Sequence, residues 1–428
     1  MEILTSYNLI IEASLIIILS FSFGELARKT NIPSVLMLIG LGIVLKFALD
    51  AIGNEGIDFF PILEVLGIVG LIMIVLEAAL ELELKREKYL AIAKAFGIAL
   101  IGLLLSTWVA ALILHQFIPD MPMDKAWVYA TPLSILSSAI IIPSVSGLKE
   151  AKKEFHIYES TFSDILGIMV FYFLVGELDP SRHSGGLASF GGNLLLTIVI
   201  SIVASYLIVL IFQNIKSHTK LFLLIAVLLL LYALGKKMHL SSLIIILVFG
   251  LLIANIRLFF RGFLGKWLDF RKAKEIYEGL HVITVETAFV VRTFFFVIFG
   301  ITITLSSLFN LNVALVSGLI ILSIYLIRFV ILRLFIGKDI HPQLYVAPRG
   351  LITILLFYAI PEEAQVPGFD SGILLFIIIS TSLIMTAAMV SDKQRSEQAI
   401  RKAMENPVGF ERWKAPTIGE VTEAAEEK

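Results

Sequence analysis

The feature that most constrains the fold is a series of about thirteen apolar segments, each near the length at which a helix crosses a bilayer. Hydrophobic residues make up 58% of the chain and charged residues 16%, and the mean hydropathy is +0.93, which exceeds the values of a soluble domain. We therefore predict an all-α integral membrane protein with about thirteen transmembrane helices. The segments are 9–27, 32–49, 61–81, 90–117, 126–148, 158–179, 190–214, 219–236, 240–258, 282–305, 311–337, 344–361 and 369–391.

Basic residues are distributed unequally between alternate loops. If the N-terminus is outside, the loops that would be cytoplasmic carry about 18 lysines and arginines, and the opposite loops about four. The positive-inside rule then predicts a multi-pass protein of the cell membrane, with its N-terminus outside and its C-terminus in the cytoplasm. We expect a transmembrane domain over residues 1–391. Residues 392–428 are polar and charged, which predicts a short, disordered cytoplasmic tail.

Composition and motifs argue against several function classes. A net charge of −1 provides no basic field, so we expect no nucleic acid partner. The chain has no cysteine, and its seven histidines, which we assign to loops or helix ends, show no metal-ligand spacing. No catalytic constellation or phosphate-binding loop is present either. The sequence thus predicts a protein that is not an enzyme and needs no cofactor.

One stretch places carboxylates inside an apolar segment. It begins at Glu159 and Ser160, continues through Ser163 and Asp164, and runs directly into apolar residues 165–174. An ionised carboxylate at the bilayer centre costs about 2.5–3.5 kcal/mol on insertion scales, so something must offset that cost. Helical spacing puts Ser160 and Asp164 on one face, with Asp164 roughly 9–11 Å beyond the preceding loop. This cluster of oxygens predicts a site for a cation and a proton inside the membrane.

Two of the apolar segments are interrupted near their middle. Each interruption frees backbone groups that lipid cannot satisfy, so these groups should line a protein-walled cavity. The two segments are fifth and twelfth in order, and would be counterparts if helices 4–6 and 11–13 are inverted repeats with crossing broken helices, the arrangement of many transporter sites. Kinks that serve only packing are the alternative. The interrupting residues are Ser137, Ser138 and Pro143 in segment 126–148, and Pro348 and Gly350 in segment 344–361.

Two arginines lie at membrane depth. Arg328 is about nine residues, or 14 Å, from the cytoplasmic end of its segment and needs an anion. We expect it to pair with Glu159, which would leave Asp164 free to change protonation; an Arg328 that only extends to the interface is the alternative. Arg292 should form a structural pair with a carboxylate that the sequence does not identify. We expect Glu77 and Glu81 to be solvated, or paired with basic residues near the membrane surface.

Several stretches resemble the monovalent cation:proton antiporter superfamily, over nearly the whole span from residue 9 to 391. The most specific is Glu159-Ser160-x-x-Ser163-Asp164, which resembles the Glu-Ser-x-x-Asn-Asp pattern of NhaP-like sodium/proton exchangers. Further similar stretches are Asn31–Leu45, Leu66–Met73, Phe294–Gly300 and Pro348–Leu351.

The resemblance implies roles for the site residues. Asp164 would carry the cation or the proton, Glu159 and Ser160 would help to form the ion site, and Arg328 would be the basic partner of Glu159. Core helices at about 90–179 and 311–391 would move against an interface domain within a homodimer.

The sequence also departs from that family pattern. Ser163 stands where the exchangers have Asn, and electrogenic relatives have a second Asp. Ala139 and Ile140 stand where many relatives have Thr-Asp, which leaves backbone carbonyls such as that of Ala139, and Ser138, as ligands.

We therefore expect a transporter that exchanges a monovalent cation, Na⁺ in the first place, for H⁺ by alternating access at Asp164. Exchange should be electroneutral because Asp164 is the one deep carboxylate without an assigned arginine. A K⁺/H⁺ exchanger is the alternative within transport, since Leu136-Ser137-Ser138-Ala139 resembles the potassium-efflux branch. A gated cation channel would also use intramembrane carboxylates and broken helices. A membrane enzyme is a third class, weakened by the missing catalytic constellation.

Overall fold

A computed structural model of the chain describes residues 2–30, 33–51, 60–82, 84, 86–178, 186–215, 217, 219–237, 242–259, 269–302 and 310–405. The described residues form helices, turns and short extended stretches, with no β-strand among them. Seven of the helices are long and apolar enough to cross a membrane, and shorter apolar helices accompany them. The all-α membrane fold is thus confirmed, while the number of thirteen spans stays a prediction.

The helices follow the predicted segments in order, because each apolar run ends where charged residues, glycine or proline begin. They are α1 (Glu2–Thr30), α2 (Ser34–Ala51), α3 (Phe60–Glu81), α4 (Tyr89–Phe117), α5 (Met123–Ser134), α6 (Ser138–Ser144), α7 (Glu150–Glu177), α8 (Gly186–Phe212), α9 (Lys220–Lys237), α10 (Ser242–Ala254), α11 (Ile256–Phe259), α12 (Phe270–Thr302), α13 (Leu311–Phe335), α14 (Leu351–Tyr358) and α15 (Gly372–Glu405).

Two groups of helices pack mainly among themselves. In one group, α4 contacts α5, α7 and α13, α13 also contacts α15, and α7 lies against α5 and α6. In the other, α12 packs on α2 and α3, and α10 packs on α3, α8 and α9. Contacts between the groups are fewer and involve α3 with α7 and α14, α10 with α7, and α1 with α6. A carboxylate on α7 is therefore surrounded mostly by helices of its own group.

The first interruption separates α5 from α6. Residues 135–137 are extended, with ψ angles of 133° at Ile135 and 101° at Ser137, so the polar serines lie at the break as expected. Pro143 does not, because it lies inside α6, one residue before that helix ends. Since proline has no N–H, Pro143 cannot bond the carbonyl of Ala139 four residues earlier, and that carbonyl lacks its helical partner.

The second interruption is longer than predicted. Segment 344–361 was expected to be a broken helix, but only its second half, α14, is helical, and the chain before it consists of turns and an extended stretch up to Gly350. Pro348 contributes to this because it disfavours helical conformation in the residue before it. The two extended stretches meet: the Ser137 N–H donates a 3.0 Å hydrogen bond to the Pro348 carbonyl.

The last helix extends further than the predicted transmembrane domain. Residues 392–405, which we expected to be disordered, continue α15. This run contains several good helix formers, such as glutamine, glutamate, lysine and arginine, and no proline or glycine, so nothing stops the helix at the end of the apolar run. Residues 406–428 of the predicted tail lie outside the described part of the chain.

Candidate functional site

One face of α7 carries most of the polar groups of the site. Six of its residues are buried at helical spacings of three and four, so they form a single stripe directed at neighbouring helices. Such a stripe of polar side chains in a membrane helix requires partners within the protein. Its polar members are His156, Glu159, Ser160, Ser163 and Asp164, and Gly167 continues the same face.

Asp164 is the carboxylate of this stripe that has no ion-pair partner among the described residues. Its side chain is 2% exposed, and neither carboxylate oxygen has a hydrogen-bond partner among the described residues. The polar group that faces it is Ser138, through both its hydroxyl and its backbone N–H at the start of α6. A buried carboxylate with open lone pairs is costly unless it holds a proton or a cation. The arrangement suits a group that alternates between the two.

The first interruption rests on α7 around Asp164. The Leu136 N–H, freed by the break, donates to the Ser163 hydroxyl at 3.0 Å. One turn further on, a Cβ atom at Gly167 would lie 2.3 Å from Ile135 Cγ1, so only glycine allows the extended chain to come this close. Ser163, which we predicted as a cation ligand, thus uses one of its lone pairs to support the break.

Ser160 lies one turn before Asp164 on the same stripe. Its hydroxyl donates to the backbone carbonyl of His156 at 2.7 Å, a bond within the helix. That bond occupies the hydroxyl proton and leaves the oxygen lone pairs available. Ser160 can therefore accept a cation without losing its bond to the helix.

The structure brings Glu159 and Arg328 together. The guanidinium donates to both carboxylate oxygens, with distances of 2.7 Å from Nη1 to Oε1 and 2.9 Å from Nη2 to Oε2. Arg328 also donates from Nε and Nη2 to the carbonyl of Gln343, at 3.1 and 2.9 Å. The two side chains are 9% and 2% exposed. This is a bidentate, buried pair, in which the arginine additionally satisfies a backbone carbonyl of the chain leading into the second interruption.

Arg349 was not singled out from the sequence, although it lies between Pro348 and Gly350 in a stretch that we had noted. Its side chain is among the largest fully buried ones. The guanidinium donates to the carbonyls of Leu133, at 2.9 Å, and Ala347, at 2.8 Å. Leu133 is in the last turn of α5, where carbonyls have no helical donor, so Arg349 neutralises the negative end of a broken helix. The sequence did offer a signal for Arg349, because it is a charged residue within an apolar run.

His156 was also missed. We predicted this helix to begin at residue 158 and placed the histidines in loops or at helix ends, but α7 begins at Glu150 and His156 is completely buried within it. Its Nδ1 atom lies 3.5 Å from Glu159 Oε2. The error arose because the first turns of α7 are charged rather than apolar. The spacing of the polar residues that follow could have revealed it.

A cavity of about 350 Å³ reaches the site from the end of the bundle where α3 ends. It lies between α1, α2, α3, α6 and α12, and both Ser138 and Ala139 line it. Two carboxylates of α3, Glu77 and Glu81, and Arg292 of α12 line it as well. The group that faces Asp164 and the carbonyl freed by Pro143 are therefore on the wall of a space large enough for hydrated ions.

The cavity wall supplies the partner of Arg292. Its guanidinium lies 3.2 and 3.3 Å from the two carboxylate oxygens of Glu77, so the expected pair exists and Glu77 is the carboxylate. Our expectation that Glu77 is solvated, or paired near the membrane surface, was wrong, because α12 packs along α3 at this level. Glu81, one turn later, lies on the same cavity wall.

A second, much smaller cavity of about 30 Å³ lies on the other side of the stripe. Its polar lining comes from Glu159, Arg328, Arg349, Ser163, Ser106 and Ser134. This is room for about one water molecule with several polar partners. A water there would connect the buried ion pair to the hydroxyl that supports the first interruption.

Comparison with known proteins gives the family. Residues 15–392 match the family model described as sodium/hydrogen exchanger, transmembrane. The chain belongs to this family. No curated protein matches the chain.

Solved structures agree on the fold. The chain is similar to the sodium proton antiporter MjNhaP1 from Methanocaldococcus jannaschii at pH 8, with a TM-score of 0.66 and 20% identity, over 91% of this chain and 99% of the other. An electron-microscopy map of the same antiporter matches with a TM-score of 0.61 and 19% identity, over 96% and 100%.

The membership has direct consequences. The chain is a multi-pass membrane protein and a cation/proton antiporter, so its substrates are a cation and protons, and it is a transporter rather than an enzyme. The resemblance to sodium/proton exchangers that the sequence motifs indicated is confirmed, and the fold is similar to that of a solved NhaP antiporter.

Proposed function

We propose that the protein exchanges Na⁺ for H⁺, one for one, by alternating access at Asp164. The observation that carries the proposal is a deeply buried carboxylate whose two oxygens have no hydrogen-bond partner among the described residues and face Ser138. One carboxylate holds either a cation or a proton. Competition between them is enough to couple the two fluxes.

The cation ligands we propose are oxygens around Asp164. They are its carboxylate, the Ser160 hydroxyl, the Ala139 carbonyl and the Ser138 hydroxyl, with Glu159 and Ser163 completing the surroundings. Support comes from the open lone pairs of Ser160, from Pro143, which leaves the Ala139 carbonyl without its helical donor, and from the position of Ser138 and Ala139 on the cavity wall. Hard monovalent cations prefer such oxygen ligands.

The ion pair of Glu159 and Arg328 has a different proposed role. Because the arginine holds both oxygens of Glu159, that carboxylate stays ionised and compensated through the cycle. Asp164 is then the one carboxylate of the α7 stripe that changes its occupant.

We propose that the core consists of the helices within about 90–179 and 311–391, and that it moves against the remaining helices of a homodimer. The sparse contacts between the two helix groups support such a division. The distribution of basic residues supports an N-terminus outside and a cytoplasmic C-terminus in the cell membrane. With this orientation, the 350 Å³ cavity is on the cytoplasmic side.

Potassium is the second candidate ion. The first interruption offers only neutral oxygens, from Ser138 and Ala139, where a further carboxylate would favour a smaller and more strongly hydrated ion.

Proteoliposomes loaded with a pH-sensitive dye test the proposal. Addition of Na⁺, Li⁺ or K⁺ in turn should move protons in the wild type, with Na⁺ most effective, and Asp164→Asn should abolish the response. Glu286→Gln is the matched control, because Glu286 is an exposed carboxylate on α12 and should retain exchange. Normal exchange by a folded Asp164→Asn protein would refute the proposal.

A further inference from the structure

We infer that His156 is a positioning residue, which holds the carboxylate of Glu159 in one orientation against Arg328. This extends the proposed function, because Glu159 is there a component of the cation site. The first observation is geometric. Glu159 Oε2 accepts from Arg328 Nη2 at 2.9 Å, and His156 Nδ1 approaches the same oxygen from within α7 at 3.5 Å.

The burial of the His156 ring indicates that its contact with Glu159 has a role other than stability. His156 is fully buried, and neither ring nitrogen has a regular hydrogen bond among the described residues. A buried polar group without a good partner costs about 1–3 kcal/mol. An apolar side chain would avoid that cost, so the ring is not explained by stability alone.

The surroundings determine the form of the ring. Glu159 is already neutralised by Arg328, so a charged imidazolium would add an uncompensated buried charge. The ring is therefore neutral, and the acceptor facing Nδ1 is a carboxylate oxygen, so the proton is on Nδ1. In this state the ring restrains Oε2 without adding charge near Asp164.

The restraint acts where rotation matters. Arg328 donates to both oxygens of Glu159 from the α13 side, and it is itself fixed by the Gln343 carbonyl. His156, three residues before Glu159 on the same helix, holds it from the other. Without the ring, Oε2 loses this contact on the α7 side, so the carboxylate and the guanidinium can shift together, and fewer molecules present the carboxylate to a cation in the productive orientation.

Two variants of the same size separate positioning from packing. Asparagine can place an amide N–H where Nδ1 is, and leucine has nearly the same shape without a donor. His156→Leu should raise the apparent KM for Na⁺ about fivefold relative to His156→Asn, with a smaller change in maximal rate. The unfolding temperature of His156→Leu in detergent should equal or exceed that of the wild type. Equal KM values, or a His156→Leu protein that fails to fold while His156→Asn folds, would overturn the inference.

The effect should depend on Glu159. In a Glu159→Gln background the ratio of KM values between the leucine and asparagine variants should fall to about one, because there is no carboxylate left to hold. A ratio that stays near fivefold would assign the effect to packing of α7 and contradict the inference.

Infrared difference spectra provide a readout that needs no transport. The wild-type minus Glu159→Gln spectrum isolates the carboxylate band of Glu159, and this band should shift in His156→Leu and not in His156→Asn. An unshifted band in both refutes the inference. A shifted band together with a wild type that exchanges no cation would instead refute the proposed function and leave the positioning role standing.

Discussion

Two arginine–glutamate pairs lie inside the bundle, and they differ in how much water can reach them. Arg328 and Glu159 join α13 to α7 with 9% and 2% of their side chains exposed and contacts of 2.7 and 2.9 Å. Arg292 and Glu77 join α12 to α3 at 3.2 and 3.3 Å, are 18% and 15% exposed, and line the large cavity. The same kind of ion pair thus occurs once in an enclosed interior, beside room for about one water molecule, and once on the wall of the large cavity. We call the first the enclosed pair.

The difference indicates what each pair can do. The enclosed pair has room for only about one water molecule beside it, too little to replace a lost partner, so neither member can change without leaving an uncompensated charge. The pair on the cavity wall can exchange its partner for water or ions, and Glu81 lies within the same cavity as a second carboxylate. We therefore expect the first pair to maintain the fold of the core and the second to shape the potential along the ion path.

Breaking the enclosed pair of Glu159 and Arg328 should have the largest effect on the free energy of unfolding. Glu159→Gln or Arg328→Met should each lower the free energy of unfolding by about 3–5 kcal/mol, because each leaves one buried charge alone. The double variant should be less destabilised than the sum. Thermal unfolding in detergent measures this in a double-mutant cycle. Additive losses would show that the two side chains do not interact.

A packing change in the same region, at Gly167, should have the second largest effect. Gly167→Ala places a Cβ 2.3 Å from Ile135 Cγ1, so the first interruption must move away from Asp164. We expect the free energy of unfolding to fall by about 1–3 kcal/mol and most of the exchange activity to be lost.

Gly102 provides the control for that change. It is also helical, but a Cβ there would have its nearest neighbour at 3.8 Å. Gly102→Ala should therefore be neutral or slightly stabilising, by up to about 1 kcal/mol. Equal behaviour of the two variants would mean that the close approach at Gly167 has no importance. Ile135→Ala should partly restore the Gly167→Ala protein.

The pair on the cavity wall should show a smaller effect. Glu77→Gln or Arg292→Met should lower the free energy of unfolding by about 1 kcal/mol or less, because water and ions in the cavity replace the lost partner. High salt should reduce the difference from the wild type, whereas it should leave the effect of Glu159→Gln unchanged. Unfolding temperatures at low and high KCl test this. A large, salt-independent loss would remove the distinction between the two pairs.

The features that could be predicted from the sequence are local ones. Asp164, Glu159 and Arg328 could be identified because a charge within an apolar run is costly and therefore conspicuous. The interruptions were visible as proline and polar pairs. These signals are local, so reading along the chain is enough to find them.

Other features depend on how distant segments approach. The pairing of Arg292 with Glu77 requires α12 to lie along α3, and nothing in either segment specifies the level at which they meet. The exact position of the first break, at residues 135–137 rather than at Pro143, depends on support from Ser163 and space at Gly167. His156 was hidden because charged residues open α7 and obscured where it begins.

The smallest effect expected is on charge stoichiometry, where Glu81 provides the sharpest test. Part of the argument for electroneutral exchange was that Asp164 is the one deep carboxylate without an arginine, yet Glu81 lines the cavity near Glu77 and Arg292. Because Glu81 belongs to the wall on α3 and not to the α7 stripe, the proposed movement of the core would not carry it across the membrane with the cation. Exchange should then stay one for one in the wild type and in Glu81→Gln.

Each surplus charge would be driven by about 2.3 kcal/mol per 100 mV, so an electrogenic cycle would respond steeply to voltage. Proteoliposomes clamped with potassium and valinomycin, with sodium as the substrate, measure this response. A rate that is independent of the imposed potential in both proteins supports the single-site cycle. A voltage-dependent wild type that becomes voltage-independent in Glu81→Gln would make Glu81 a second proton carrier. The cavity wall would then take part in the transport cycle itself, and the distinction between the two regions would no longer hold.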